Sequence, residues 1–192
     1  VVEFQEDRVK DPNVVMVGHE LVMWKPGEIV AAFRPRPPSG KLPHGVQLPP
    51  GKYYSVKHPR LSYGTPKTID LLRSVVERYQ GASRGGPRVH FGDISRKGGG
   101  AFPPHLSHRG GRDVDVKRSW ALIQSFLKTD QVEYIFVDWR LQKLLYEHAR
   151  STGLSKRTLD ELFQYPRSRR RAHGIIRHWS GHVNHFHVRF KD

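Results

Sequence analysis

The sequence contains no cysteine. That single absence excludes thiolate zinc sites, a cysteine nucleophile and any disulfide framework, and it leaves the redox compartment open. Acidic residues are scarce as well. Eighteen Asp and Glu stand against 33 Lys and Arg, a formal charge of +15 before any of the 12 histidines takes a proton. A balance this basic points to an anionic polymer as partner: nucleic acid, a membrane surface or a cell wall. Long apolar runs are missing too. The richest stretch, Val14–Trp24, is interrupted by Gly18, His19 and Glu20, so no transmembrane helix is expected. No secretory signal pattern opens the chain, and a first residue of Val1 in place of Met predicts a processed or truncated product.

What is present suits one globular domain with a short appendage. The 192 residues are 36% hydrophobic and 10% aromatic, a lean composition that is still richer than that of disordered chains. A chain of this length buries roughly 70% of its unfolded surface and needs no covalent staples. Residues 1–39 read as an N-terminal extension. The apolar stretches Val14–Val17, Leu21–Trp24 and Ile29–Phe33 predict one or two short strands, followed by the Pro-rich linker Arg34–Gly40. The main domain is expected over 40–192, and no internal repeat is visible.

Within that domain the clearest helix starts at Thr65-Pro66, with Thr65 as N-cap. It carries Ile69, Leu72, Val76 and Tyr79 down one face and is expected to end at Gly81. Strand-like alternation marks Arg88–Ile94, Asp113–Lys117 and Asn184–Phe190, and Tyr134–Asp138 reads as a buried strand. Helical periods mark Ser119–Lys128, Trp139–Arg150 and Thr158–Gln164. The order predicts an α+β fold with a central, mainly antiparallel β-sheet flanked by helices.

Eight of the 12 histidines fall at or after position 105, and two tight groups stand out among them. In the second group, His185 and His187 share a face of a strand, roughly 6.5–7 Å apart along it. Both could bind a metal, or one could bind while its neighbour faces the metal's water. A lone H-x-H fits two ordinary histidines better than a metal site. The first group adds weight. On Asp113–Lys117, Asp113 and Asp115 share a face while Val114 and Val116 pack behind. His108 lies seven residues before Asp115, across the helix-breaking pair Gly110-Gly111. An imidazole and a carboxylate from this segment, with an imidazole from the distant strand, have the composition of a catalytic zinc site that keeps a fourth position for water.

The run SHRGGRDVDV (Ser107–Val116) with the later HVNHFHVRF (His182–Phe190) resembles the penicillin-insensitive murein endopeptidases. These belong to the group of zinc peptidases that also contains lysostaphin-type enzymes, D-alanyl-D-alanine peptidases and the hedgehog signalling domain. GKLPHGVQLP (Gly40–Pro49), YGTP (Tyr63–Pro66) and FGDIS (Phe91–Ser95) extend the similarity from about Gly40 to Phe190. The resemblance implies one zinc ion bound by His108, Asp115 and His187 in a cleft rimmed by long loops. It implies that His185 is an unliganded histidine beside the metal's water and that His182 is a further catalytic imidazole. His105 is then a neighbour or possible ligand of the metal, and Asp113 orients a ligand imidazole. The implied activity is hydrolysis of peptide cross-links in bacterial peptidoglycan, D-alanyl to diaminopimelate, by a periplasmic or secreted enzyme. The D-alanyl dipeptidase relatives carry a glutamate near the last histidine ligand. Here the nearest acid before His187 is Glu161, which favours the endopeptidase branch and leaves a histidine to take the proton. Relatives usually contain cysteines, and this chain has none.

A rival reading, a nucleic-acid-binding protein or metal nuclease, has the charge and the histidines in its favour. It lacks a recognition-helix motif, zinc-finger spacing or an interleaved aromatic-basic strand, so no nucleic-acid partner is expected. A wall-binding module that has lost activity fits less well with an intact ligand set. Arg167–Arg171 reads equally as a substrate-holding patch and as a solvated loop. Trp179 and Tyr165 fit either cleft walls or packing. Gly98-Gly99-Gly100 reads as a flexible rim, since no phosphate-loop Lys-Ser/Thr follows. His19, His44, His58, His90, His148 and His173 stand isolated and receive no role.

Overall fold

The computed structural model describes residues 40–83, 86–117 and 120–192. The strands and linker expected over 1–39, and the expected helix start at Ser119, lie outside the described residues. In chain order the elements are β1 (Val46–Gln47), β2 (Tyr54–Val56), β3 (Tyr63–Gly64), α1 (Pro66–Ser83), β4 (Val89–Phe91), β5 (Asp113–Lys117), α2 (Trp120–Leu127), β6 (Val132–Val137), α3 (Trp139–Ser151), α4 (Lys156–Leu162), β7 (Ile176–His178) and β8 (His185–Phe190). The fold is α+β. β1 and β3 form a small ladder of their own, and the main sheet runs β2-β4-β5-β8-β6-β7.

The three central pairings are antiparallel, while the outer pairs, β2 with β4 and β6 with β7, are parallel. The sheet is therefore mixed. Each parallel pair is joined by a crossover that contains helix, α1 in one case and α3 with α4 in the other, as parallel strands require. β2 and β7 were not legible in the sequence because each is a three-residue edge strand, too short to alternate.

Local chemistry sets the helix starts. Thr65 Oγ1 accepts from the Thr68 N–H at 3.1 Å, the expected N-cap bond, and the helix runs two residues beyond Gly81. Asp138 is the N-cap of α3 and not the end of a strand: its carboxylate accepts from the Arg140 N–H at 2.9 Å. Ser155 caps α4 in the same way, which places that helix start earlier than its apolar period suggests.

The helices bury their apolar faces on one side of the sheet. Ile69, Leu72, Val76 and Tyr79 of α1 join Ile123 and Phe126 of α2, and Leu159 and Leu162 of α4, in one cluster. Val114, Val116, Ile135, Phe186 and Val188 supply the sheet's share. Each side chain of this size contributes about 1.5–3 kcal/mol when fully buried. The opposite face of the same central strands is polar, and loops cover it. Among the described residues, no helix is long and apolar enough to cross a membrane.

Candidate metal centre

The alternation DVDVK on β5 meets HFHVRF on β8 in strict antiparallel register. Asp113 lies opposite Arg189, Asp115 opposite His187, and Lys117 opposite His185, while Val114 and Val116 oppose Val188 and Phe186. Period-two geometry therefore sends the valines and Phe186 into the core and presents two carboxylates, two imidazoles and a guanidinium on the other face. On β6, a bulge between Val132 and Tyr134 sets Tyr134 opposite Arg189 and Phe136 opposite His187, so an aromatic wall flanks the polar row.

Three donor atoms converge on this face. His108 Nε2 lies 3.1 Å from His187 Nδ1 and 3.2 Å from Asp115 Oδ1, and His187 Nδ1 lies 3.3 Å from the same oxygen. Three ligands at about 2.0–2.1 Å from a tetrahedral zinc stand ~3.3 Å from one another, a spacing close to that of these three atoms. His105 also turns a ring nitrogen toward this point. The ligand atoms of His105, His108 and Asp115 all lie within 4.8 Å of one another, and this group could hold a metal ion.

The surroundings fix the imidazole tautomers. His108 Nδ1–H donates to the Ile94 carbonyl at 2.9 Å, which leaves Nε2 as a lone pair toward the centre. His187 Nε2–H donates to Asp113 Oδ1 at 2.8 Å, which leaves Nδ1. Two lone-pair nitrogens and a carboxylate oxygen thus face one another with no donor between them. A proton or a metal ion between them would relieve that opposition. Asp113 is itself held by Arg189, whose Nε and Nη2 reach its two oxygens at 2.8 and 2.7 Å. The side chains of Asp113 and Arg189 are 1% and 3% exposed, and the guanidinium lies over the Tyr134 ring. A bidentate buried pair of this kind fixes the acceptor that orients the His187 ring.

The electrostatics agree. Burial works against an imidazolium at His187, yet hydrogen bonds to Asp113 and Asp115 raise its pKa to about 9. Without metal, a proton takes the cation's place. Burial would raise the Asp115 carboxyl, but His108 and His187 hold it well below the carboxylate range. The same opposition, with His187 and Arg189 as partners, lowers Asp113.

Two further imidazoles stand beside the triangle. His185 Nε2 is 3.8 Å from Asp115 Oδ1, and its Nδ1–H donates to Asn184 Oδ1 at 2.7 Å. His182 Nδ1–H is shared between the carbonyls of Trp179 and Ser180 at 3.2 and 3.1 Å. The two rings lie 4.8 Å apart. Burial, then the neighbouring His187 and His185, pushes His182 down to about 4. Burial also lowers His185, against the pull of Asp115. Both are neutral bases at pH 7.

A cleft of about 340 Å³ opens onto the centre, lined on one side by His105, Leu106 and His108 and on the other by Phe136, Trp179 and His182. Trp179 is 43% exposed, packs against Phe136 with the rings tilted by 30°, and forms a wall of the cleft. Tyr165 packs instead on Trp139 and Tyr146 and does not line it. The triple glycine is not a free rim. Leu42 N–H donates to the Gly98 carbonyl, Gly100 N–H donates to the Arg109 carbonyl, and a Cβ on Gly99 would meet the Arg109 oxygen at 2.4 Å. Close backbone packing, at positive φ, is what requires glycine there. In the basic cluster, Arg169 lies over the Trp139 ring and Arg167 reaches Asp160 at 3.7 Å, and all four arginines are exposed.

All seven histidines and aspartates singled out from the sequence meet at this one centre. Arg189, Tyr134 and Phe136 were missed. Arg189 had a signal, since it continues the period of two from His185 and His187. Neither family models nor curated proteins match the chain.

Proposed function

We propose that the chain is a zinc-dependent endopeptidase that hydrolyses peptide cross-links of bacterial peptidoglycan, D-alanyl to diaminopimelate by its resemblance to the murein endopeptidases. The observation that carries this reading is the triangle of His108, Asp115 and His187. Its donors are spaced for zinc, its tautomers are fixed from behind, and one side opens to a cleft lined by His182, with His185 3.8 Å from Asp115 beside it. Zinc, when bound, lowers the pKa of its water to about 7 and polarises the scissile carbonyl.

The chain's own residues divide the remaining work. With its Nδ1–H committed to Asn184, His185 offers Nε2 as an acceptor, so it takes the proton of the attacking water and does not brace an oxyanion. His182, with Nδ1–H committed to backbone carbonyls, is a second acceptor beside it. Phe136 and Trp179 shield one side of the reacting bond from bulk water. Asp113 and Arg189 keep the His187 lone pair aimed. Peptidoglycan, an anionic polymer outside the cytoplasmic membrane, suits the chain's charge and implies a periplasmic or secreted site of action.

The deciding experiment incubates the protein with purified sacculi and with DNA, each with and without chelator. Release of soluble muropeptides that chelation abolishes and zinc restores is expected. Metal-dependent DNA cleavage with intact sacculi would establish the nuclease reading instead, and binding to sacculi without cleavage would establish an inactive wall-binding module.

A further inference from the structure

On the β4 side of the centre, His58, Asp93 and His105 form a continuous chain. His58 Nδ1 lies 2.7 Å from Asp93 Oδ1, and His105 Nε2 lies 3.1 Å from Asp93 Oδ2. The other nitrogen of His105, Nδ1, stands 3.8 Å from Asp115 Oδ2. We infer that Asp93, clamped by His58, is a positioning residue that holds His105 in its Nε2–H tautomer and keeps the Nδ1 lone pair facing the metal centre. This rests on the metal reading of His108, Asp115 and His187.

The chemistry allows one assignment. An ionised carboxylate only accepts, so both imidazole nitrogens that touch it carry hydrogens. His105 therefore donates from Nε2, and a neutral ring then has Nδ1 bare. Because each Asp93 oxygen serves a different histidine, rotation of the carboxylate about its own axis breaks both bonds. His58 thus restrains Asp93 from the solvent side, where its own side chain is 45% exposed. The His105 ring meets Phe102 edge-on, with centroids 4.9 Å apart, and lies 4.3 Å from the His108 ring.

The backbone explains how Asp93 arrives there. β4 stops at Phe91, three residues short of the expected strand end. Gly92 N–H then donates to the Asp115 carbonyl at 2.7 Å, and Asp115 N–H donates to the Asp93 carbonyl at 3.1 Å. A Cβ on Gly92 would meet the Asp115 Cβ at 2.9 Å. Glycine at 92 is what lets the chain lie against a metal ligand and deliver the next carboxylate to His105. This accounts for FGDIS as a unit that pattern reading left without a role.

Imidazole ¹⁵N NMR tests the inference directly, with the His105 signals assigned by their loss in His105→Gln. In the wild-type protein, metal-free and zinc-loaded, His105 is expected to be protonated at Nε2. Asp93→Leu should give a mixture of tautomers, with zinc stoichiometry intact and kcat for a soluble muropeptide down roughly 10–100-fold at little change in KM. Asp93→Asn, whose amide keeps one acceptor oxygen, should fall between. His58→Gln, at an exposed position that does not threaten folding, should loosen the tautomer with a smaller loss of rate. Protonation of wild-type His105 at Nδ1, or an unchanged tautomer in a folded Asp93→Leu or His58→Gln protein, would overturn the inference. If the tautomer responds while no variant or wild type cleaves peptidoglycan, the positioning role stands and the hydrolase reading fails.

Discussion

Asp115 and His187 face each other directly across the β5–β8 ladder, and their side chains meet at 3.3 Å. Cross-strand partners on one face of an antiparallel pair have Cβ atoms about 4.5–5.5 Å apart, so these two proposed metal ligands need only the ordinary ladder to come together. The third, His108, arrives on a loop and needs its own anchor, the Ile94 carbonyl.

One zinc ion per chain is expected, bound by His108, Asp115 and His187. Asp115→Ala and His187→Ala should each lose stoichiometric zinc in equilibrium dialysis, together with chelator-sensitive hydrolysis. An Asp115→Ala protein that keeps zinc and full activity would show that the metal sits elsewhere.

Ligand and base should separate experimentally. His185→Ala is expected to keep its zinc and lose about 10²–10⁴-fold in kcat, the usual contribution of a general base. If the same change empties the site, His185 is a ligand.

Removing Asp113 strands a buried guanidinium. Asp113→Ala should cost about 3–5 kcal/mol, read as a lower denaturation midpoint. It should also weaken zinc binding about 10–100-fold through the lost His187 acceptor. Adding Arg189→Met should recover much of the stability and none of the affinity. Recovery of both would mean that Asp113 does not orient His187.

The pH dependence has a definite sign. In the metal-free protein His187 is raised from 6.5 to about 9, so its contribution to stability is complete below pH 6.5 and is lost as pH rises through 9. His182 is depressed to about 4, so its contribution is present above pH 6.5 and is lost as pH falls toward 4. Zinc must displace the His187 proton, and its apparent affinity should rise about tenfold per pH unit up to about 9. Thermal melts of the apoprotein and zinc titrations between pH 6 and 10 check both. A pH-independent zinc affinity would contradict the assignment of Nδ1 as a ligand.

Wall attachment should be a sum of weak contacts. Exposed ion pairs contribute about 0–1 kcal/mol each, and the screening length shrinks from ~8 Å at 0.15 M salt to ~3 Å at 1 M. Pelleting with sacculi should therefore weaken as salt is added, while cleavage of a small soluble muropeptide changes far less. Replacing Arg167, Arg169, Arg170 and Arg171 with glutamine should reduce pelleting and leave zinc in place. Salt-insensitive pelleting would refute the electrostatic account.

The parts of the fold legible in the sequence are those with a long enough period. DVDVK and HFHVRF alternate over five and six residues, and their two faces fall where alternation puts them. The outer parallel strands are three residues each and exist because neighbours pair with them, which no local pattern records. Tyr134 and Phe136 were hidden for a different reason. An apolar run such as YIFV reads the same whether one face meets the core or an aromatic cleft wall. Asp93 was hidden because its partners, His58 and His105, lie 35 and 12 residues away.

The alternation along β8 would make the proposed metal binding a check on assembly. Shifting the strand by one residue would turn Phe186 and Val188 to the cleft and drive His187 and Arg189 into the hydrocarbon layer. Only the correctly zipped sheet brings Asp115 and His187 together, so on the proposed zinc reading only that species would capture the ion. Zinc added during refolding would then draw the population toward one register, which would make the ion a proofreader of the sheet proposed to hold it.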